Sequence, residues 1–347
     1  MEGNTNRISR VNTIAKKIVF IDGLPGCGKT LFSPIIATMD RVELLTVAYE
    51  IEHFCALSLL EKISLDAAVS MIKMKTDLQL YNTMMGRETN FRPTDLSSVM
   101  NNHNPGRYFQ RLFQPGDEAI PSLIDSEHPI LNLITHNLLP FSQPIWKALG
   151  ERCVFVNVIR HPLYMIRQQT LNMQRLIGTA RDFTVYFSYK DVELPYYVYG
   201  WEDQFLSSNP TDRVVRFIDN LTRRTKKVSD YVNDKYNAKI VTIPFEKFVL
   251  EPRPWLEQIA KALETTMTEF TEREMIKQKV PRQKIAQGID LDIYRRCGWV
   301  PPTEGLNERD ELNVRREDVV RDASNETISI IDRLCEDYEK EYWNPDQ

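Results

Sequence analysis

The sequence predicts an α/β protein: a three-layer sandwich with a central, mostly parallel sheet, built as a P-loop fold with helical insertions. Three observations lead there. Short apolar runs alternate with helical segments along most of the chain, the rhythm of a parallel sheet covered on both faces. The first run, KIVFID (Lys17 to Asp22), ends in the glycine-rich turn Gly23-Leu24-Pro25-Gly26-Cys27-Gly28-Lys29-Thr30. The strongest run, CVFVNVI (Cys153 to Ile159), ends at Arg160-His161-Pro162, where proline suits the first position of a following helix.

Taken in order, residues 1–16 read as a polar, loosely held arm. KIVFID is a buried strand, and Lys29 to Met39 a helix. RVELLTV, from Arg41, is a second strand. The stretch from about 50 to 128 is rich in Met, Leu and Asn and reads as a helical insertion, with loop signals at Asn101 to Gly106 and Gln114 to Asp117. LNLIT (Leu131 to Thr135) resumes the strands, followed by a short helix near Ser142 to Leu149 and then by CVFVNVI. Thr211 to Tyr236 is a long helix carrying Arg223, Arg224, Lys226 and Lys227. KIVTI (Lys239 to Ile243) is a strand, Pro254 to Leu263 a helix, and Arg316 to Tyr342 a charged amphipathic helix within a C-terminal extension from about 305 to 347.

With 347 residues, 42% of them hydrophobic, the chain can bury a sizeable core; one elaborated domain over 17–347 is expected. A net charge of −4 speaks against a general nucleic-acid binder, yet allows a local basic pocket. Cys27, Cys55, Cys153, Cys297 and Cys335 are widely spaced and form no metal-ligand or disulfide pattern. Reduced thiols, a polar start and no apolar run near the roughly 20 residues of a membrane span point to a cytoplasmic protein. No membrane partner, nucleic acid or bound metal is expected, and the oligomeric state is open.

The phosphate loop is the sharpest motif, since Gly23 and Gly28-Lys29-Thr30 fit G-x-x-x-x-G-K-[ST] between a strand and a helix. Glycines let the backbone curl its N–H groups onto phosphate oxygens, the helix adds its positive end, Lys29 brings a mobile charge, and Thr30 can hold phosphate or magnesium. Arg160 stands at the carboxyl end of a strand, where ligands gather in open parallel sheets, and its fork can pair with phosphate. His136, after LNLIT, projects toward the same crevice; it is either a general base or a loop histidine with a structural hydrogen bond. No second apolar strand ends in the aspartate that holds magnesium in nucleotide triphosphatases. VVRFID, ending at Asp219, lies in a helical pattern.

Together these pieces resemble the P-loop sulfotransferases, over about residues 17–265. Thr135-His136-Asn137-Leu138-Leu139-Pro140 is similar to the family's threonine-histidine pair before leucine-proline, Arg160-His161-Pro162 to its arginine-asparagine-proline, and Ile243-Pro244-Phe245-Glu246 to its later strand-glutamate element. The resemblance implies 3′-phosphoadenosine 5′-phosphosulfate (PAPS) as cofactor. The loop residues Gly23, Gly26, Cys27, Gly28, Lys29 and Thr30 would hold its phosphosulfate end, and Arg160 its 3′-phosphate. Gln168 stands where the family usually has a serine. His136 would be the base, and Lys29 would stabilise the leaving charge. Lys29 falls later than the family's basic loop residue, at whose place Gly26 stands. The family's C-terminal glycine-x-x-glycine-x-x-lysine element is replaced by the basic stretch Lys279 to Lys284.

The implied activity is sulfuryl transfer to a hydroxyl or amine of a small-molecule or glycan acceptor, held by the 50–128 insertion and the aromatic stretch Tyr196 to Trp201. Those aromatics suit the core as readily as a ligand. Two rival readings remain: a kinase of a small molecule or nucleotide using ATP with magnesium, and a nucleotide-binding regulatory protein without turnover.

Overall fold

A computed structural model describes residues 7–285 and 306–346. In chain order the elements are β1 (Lys17–Asp22), α1 (Lys29–Ile36), β2 (Thr46–Val47), α2 (Tyr49–Leu59), α3 (Leu65–Met84), α4 (Pro105–Arg111), α5 (Ala119–Glu127), β3 (Ile130–Ile134), α6 (Gln143–Leu149), β4 (Cys153–Ile159) and α7 (Pro162–Arg175). There follow β5 (Tyr186–Tyr189), β6 (Val192–Pro195), α8 (Glu202–Ser207), α9 (Pro210–Tyr236), β7 (Lys239–Pro244), α10 (Phe245–Leu250), α11 (Arg253–Leu263), α12 (Glu269–Lys277), α13 (Glu308–Val320) and α14 (Asn325–Glu341).

The fold is α/β, as the sequence predicts: five parallel strands form one sheet in the order β2-β3-β1-β4-β7. β1 lies at the centre, with Lys17 opposite Ile130 on one side and Ile18 opposite Cys153 on the other. Its apolar run makes sense there, because helices shield both faces and leave no side for polar residues. Phe20 stacks on Phe155 with ring centres 4.9 Å apart, and Trp146 of α6 packs on Phe155 at 5.3 Å. Fully burying each such side chain contributes roughly 1.5–3 kcal/mol. α11 packs on β4 and β7, and α1 on β1 and α12. A second group, α2, α3, α6, α7, α9 and α14, is linked by mutual helix contacts. Among the described residues no helix is long and apolar enough to cross a membrane.

Four expectations need correction. RVELLTV is a strand only at Thr46–Val47, with a lone bridge from Val42 to Ile130. Arg41 has φ of 60°, off the strand region, and the Glu43 side chain is drawn into an ion cluster with Arg107 and Arg111. The C-terminal helix is two helices. The chain breaks before Ser324, whose hydroxyl accepts from Thr327 N at 3.4 Å while Asp212 of α9 accepts from Ser324 N at 3.0 Å. The loop expected to Gly106 ends earlier, because the Asn104 side chain caps α4 by accepting from Arg107 N at 3.2 Å. The N-terminal arm is not loose over its described part: Asp77 of α3 accepts from Ile14 N and Ala15 N, each at 3.0 Å, and pairs with Arg10 at 2.9 Å. Residues 1–6 and Cys297 lie outside the described residues.

One element is new. β5 and β6 form an antiparallel hairpin, turned by Lys190 and Asp191 at φ of 48° and 62°. Both turn residues have the positive φ that a two-residue hairpin turn demands, but neither is the glycine that signals such a turn in a sequence.

Candidate functional site

The site forms where β1, β3 and β4 end. Along the phosphate loop the first four carbonyls each have a donor. Gly23 O accepts from Asn137 N at 3.2 Å and from the Lys29 ammonium. Leu24 O accepts from Cys27 N at 3.1 Å. Pro25 O accepts from the Gln169 amide, and Gly26 O from Arg160 Nη1 at 3.1 Å. The N–H groups of Gly26, Gly28 and Thr30 find no acceptor among the described residues, and that of Lys29 points at the Cys27 sulfur. Such a set of free N–H groups, at the N-terminus of α1, is an anion-binding concavity.

Two glycines make this possible. Gly28 has φ of 108°, and a Cβ there would fall 2.2 Å from the Phe245 ring. A Cβ on Gly26 would come 2.9 Å from Gln168 Oε1, which places the Gln168 amide against the loop. Thr30 is exposed and Lys29 is buried. The Cys27 thiol is buried, and burial pushes its pKa up against the pull of nearby Lys29, leaving an unreactive thiol.

Arg160 lies between aromatic rings, its guanidinium carbon 4.8 Å from the centre of Tyr164 and 4.5 Å from that of Phe245. Glu246 lies 3.9 Å from Arg160 Nε. The same carboxylate accepts from His161 N at 3.1 Å and from the Tyr338 hydroxyl at 2.6 Å. The basic stretch 279–284 also arrives here, with Arg282 over the Phe245 ring at 5.8 Å. Stacking of this kind fixes a guanidinium while leaving its edge available.

His136 follows the end of β3. Its backbone N–H donates to Glu52 Oε1 at 2.8 Å, and its Nδ1 lies 3.1 Å from the same oxygen. This contact fixes the proton on Nδ1 and leaves Nε2 as the basic nitrogen. Tyr49 of α2 stacks on the imidazole at 5.7 Å between ring centres. The next position back, Thr135, donates its hydroxyl to Asp22 Oδ1 at 2.8 Å; Asp22 also accepts from Leu138 N at 3.0 Å and Leu139 N at 2.7 Å. Asp22 thus spends its charge clamping the His136 loop. VVRFID lies within α9, as its helical pattern predicts.

The sequence-derived residues therefore gather at one strand edge: the loop, Gln168, Arg160 and His136. Sequence reasoning missed Glu52, Asp22, Gln169 and Tyr49. Asp22 ends the first strand beside the loop and could have been flagged; Glu52 lies 84 positions from His136 and leaves no local trace. The expected acceptor wall also changes. Tyr196, Tyr197 and Trp201 are buried in the core. The large cavity, of about 900 Å³, lies instead between the ends of β1 and β4 and the helices α7, α9 and α14.

No protein-family model matches the chain, and no curated protein matches it. Among the solved structures that overlap it are two sulfotransferases. The sulfotransferase STF9 from Mycobacterium avium is 12% identical, with a TM-score of 0.37, over 77% of this chain and 68% of its own. A sulfotransferase domain from the curacin biosynthetic pathway is 13% identical, with a TM-score of 0.42, over 91% of this chain and 99% of its own. At such identity and overlap these likenesses assign neither family nor activity, and the chemistry rests on the site itself.

Proposed function

We propose that this protein is a sulfotransferase that moves a sulfuryl group from PAPS to a hydroxyl or amine of an acceptor. The observation that carries this reading is the Glu52–His136 pair at the carboxyl end of β3, beside an anion-binding loop. A magnesium-dependent P-loop enzyme would place a carboxylate at that strand end, whereas here it holds a threonine and an oriented imidazole.

The residues present fit PAPS. The N–H groups of Gly26, Gly28 and Thr30 would hold its 5′ anionic end, and Arg160, with Gln168 beside it, the 3′-phosphate. PAPS supplies an activated sulfuryl group. Everything else falls to the chain: the loop fixes the anion, Lys29 neutralises charge on the departing oxygen, and His136 Nε2 takes the proton from the acceptor. Catalysis of this kind comes mainly from positioning and electrostatics.

The intact Gly28-Lys29-Thr30 favours a second reading, an ATP-dependent kinase. Calorimetric titration separates them, using 3′-phosphoadenosine 5′-phosphate and then ATP, each with and without magnesium. Metal-independent binding of the bisphosphate, weakened about tenfold or more in Arg160→Ala, is the expected result; loss of a charge-assisted pair is worth roughly 1.5–3 kcal/mol. Magnesium-dependent ATP binding, indifferent to the 3′-phosphate, would select the kinase.

A further inference from the structure

The imidazole of His136 borders an aromatic face that the proposed transfer leaves unused. Tyr49 of α2 lies nearly parallel to it, the ring planes 17° apart. His53, one turn further along α2, stacks beside Tyr49 with ring centres 6.5 Å apart. Phe183, from the segment between α7 and β5, tilts against Tyr49 at 5.5 Å. That segment is tied down on both sides of the ring. Phe183 O accepts from His53 Nε2 at 2.7 Å, and Asp182 accepts from Gly178 N at 2.8 Å, from Thr184 N at 3.0 Å and from the Tyr186 hydroxyl. Yet Phe183 is 60% exposed and Tyr49 38%. Large rings held rigidly but left open to solvent form a contact surface, since core packing would have buried them.

The charge around this face has one sign. Asp182 is held by neutral donors alone, so its negative charge is not neutralised. Glu52 meets the backbone N–H and the imidazole of His136. Among the described residues no arginine or lysine pairs with either carboxylate. Arg181, although adjacent to Asp182 in sequence, is exposed and is paired with neither, and Lys75 is taken by Glu50 at 2.7 Å. The Tyr49 hydroxyl registers both carboxylates: burial first, then Glu52 and Asp182, push its pKa up. The face of an aromatic ring is itself negative, so rings and carboxylates here attract the same kind of group, a cation, and repel an anion.

We infer that the acceptor carries an aromatic ring and a positively charged group, with Phe183 and Tyr49 taking the ring and Asp182 and Glu52 supplying the counter-charge. The assignment as acceptor rests on the reading of His136 as the base. The preference for an aromatic cation is a property of the surface, and it shows in binding without any nucleotide.

The test is calorimetric titration of the full chain at pH 7 with tyramine, 4-propylphenol and 4-hydroxyphenylacetate, which share a phenol and differ in charge. The wild type is expected to bind tyramine about fivefold or more tightly than the neutral phenol, and the anion more weakly than both. Phe183→Leu, at an exposed position that tolerates the change, keeps an apolar contact but loses the ring, and brings tyramine and 4-propylphenol to within about twofold of each other. Asp182→Asn removes the charge and narrows the gap between tyramine and 4-hydroxyphenylacetate. Binding of 3′-phosphoadenosine 5′-phosphate, titrated separately, reports on the sulfotransferase reading, whereas the ranking of the three phenols reports on this face. Equal affinities in the wild type, tighter binding of the anion, no detectable binding of tyramine, or a tyramine preference that survives both replacements would each overturn the inference.

Discussion

At His136 one ring nitrogen is committed and the other is open, and this asymmetry is what makes the residue chemically interesting. Glu52 Oε1 holds both the backbone N–H and Nδ1 of the same residue, so the imidazole cannot rotate without losing a charge-assisted contact. If the proposed transfer is correct, His136→Ala lowers turnover by about 10²–10⁴-fold, the usual worth of general acid–base catalysis. Binding of 3′-phosphoadenosine 5′-phosphate and the thermal midpoint should stay near wild type, because the ring is half-exposed and stacks on the half-exposed Tyr49. Turnover unchanged in His136→Ala would remove it from the mechanism. Glu52→Ala, which disturbs the ring without deleting it, is expected to give a smaller loss in kcat with the same bisphosphate affinity. At this scale the sequence was legible where chemistry is local: the loop, Arg160 and His136 each follow a strand end. It was silent on Glu52 and Gln169, because their partners lie far along the chain and only the folded backbone joins them.

Among the elements, those dictated by apolar periodicity stand close to where the sequence places them; β4 spans the whole of CVFVNVI. Expectations failed where a tertiary contact outweighed local pattern. RVELLTV has the composition of a strand, yet Glu43 within it is fully buried and accepts from Arg111 Nη1 and Nη2 at 2.8 Å each and from Arg107 at 2.6 Å. Burial opposes the charge on Glu43, but the Arg111 hydrogen bonds and the two positive charges outweigh it and hold its pKa below the ordinary value. This cluster binds α4 to the segment leading into β2. Removing one partner of a buried ion pair strands the other, at a cost of about 3–5 kcal/mol. Glu43→Gln is therefore expected to lower the unfolding free energy by that order, read from the urea midpoint at constant m-value. A change under about 1 kcal/mol would mean that the cluster opens to water, as exposed pairs do.

Across the whole molecule, the C-terminal helix reaches back to the site. Tyr338 of α14 donates to Glu246, Glu339 lies 3.2 Å from His161 Nε2, and Arg333 pairs with Asp219 at 2.7 Å. Trp343 packs edge-on against His161, 6.2 Å between ring centres. The shelf under Arg160 is thus closed by residues from the far end of the chain, and its integrity should follow the docking of α14. Glu339 gives a handle on that docking. The His161 hydrogen bond, reinforced by Arg309, lowers its pKa from 4.5 to about 2. A carboxylate whose pKa is lower in the folded than in the unfolded state stabilises fully above its unfolded value, and that stabilisation fades as pH falls toward the folded value. The window therefore runs from about 4.5 down to about 2. Glu339→Gln should be less stable than wild type at pH 7, and the gap should narrow steadily as pH drops through this window. Trp343 fluorescence during urea unfolding at several pH values would follow it, since that indole sits on the contact itself. Parallel stability curves for the two proteins across the window would show that Glu339 does not couple α14 to the site, and the strap would then rest on the Tyr338–Glu246 bond and apolar packing.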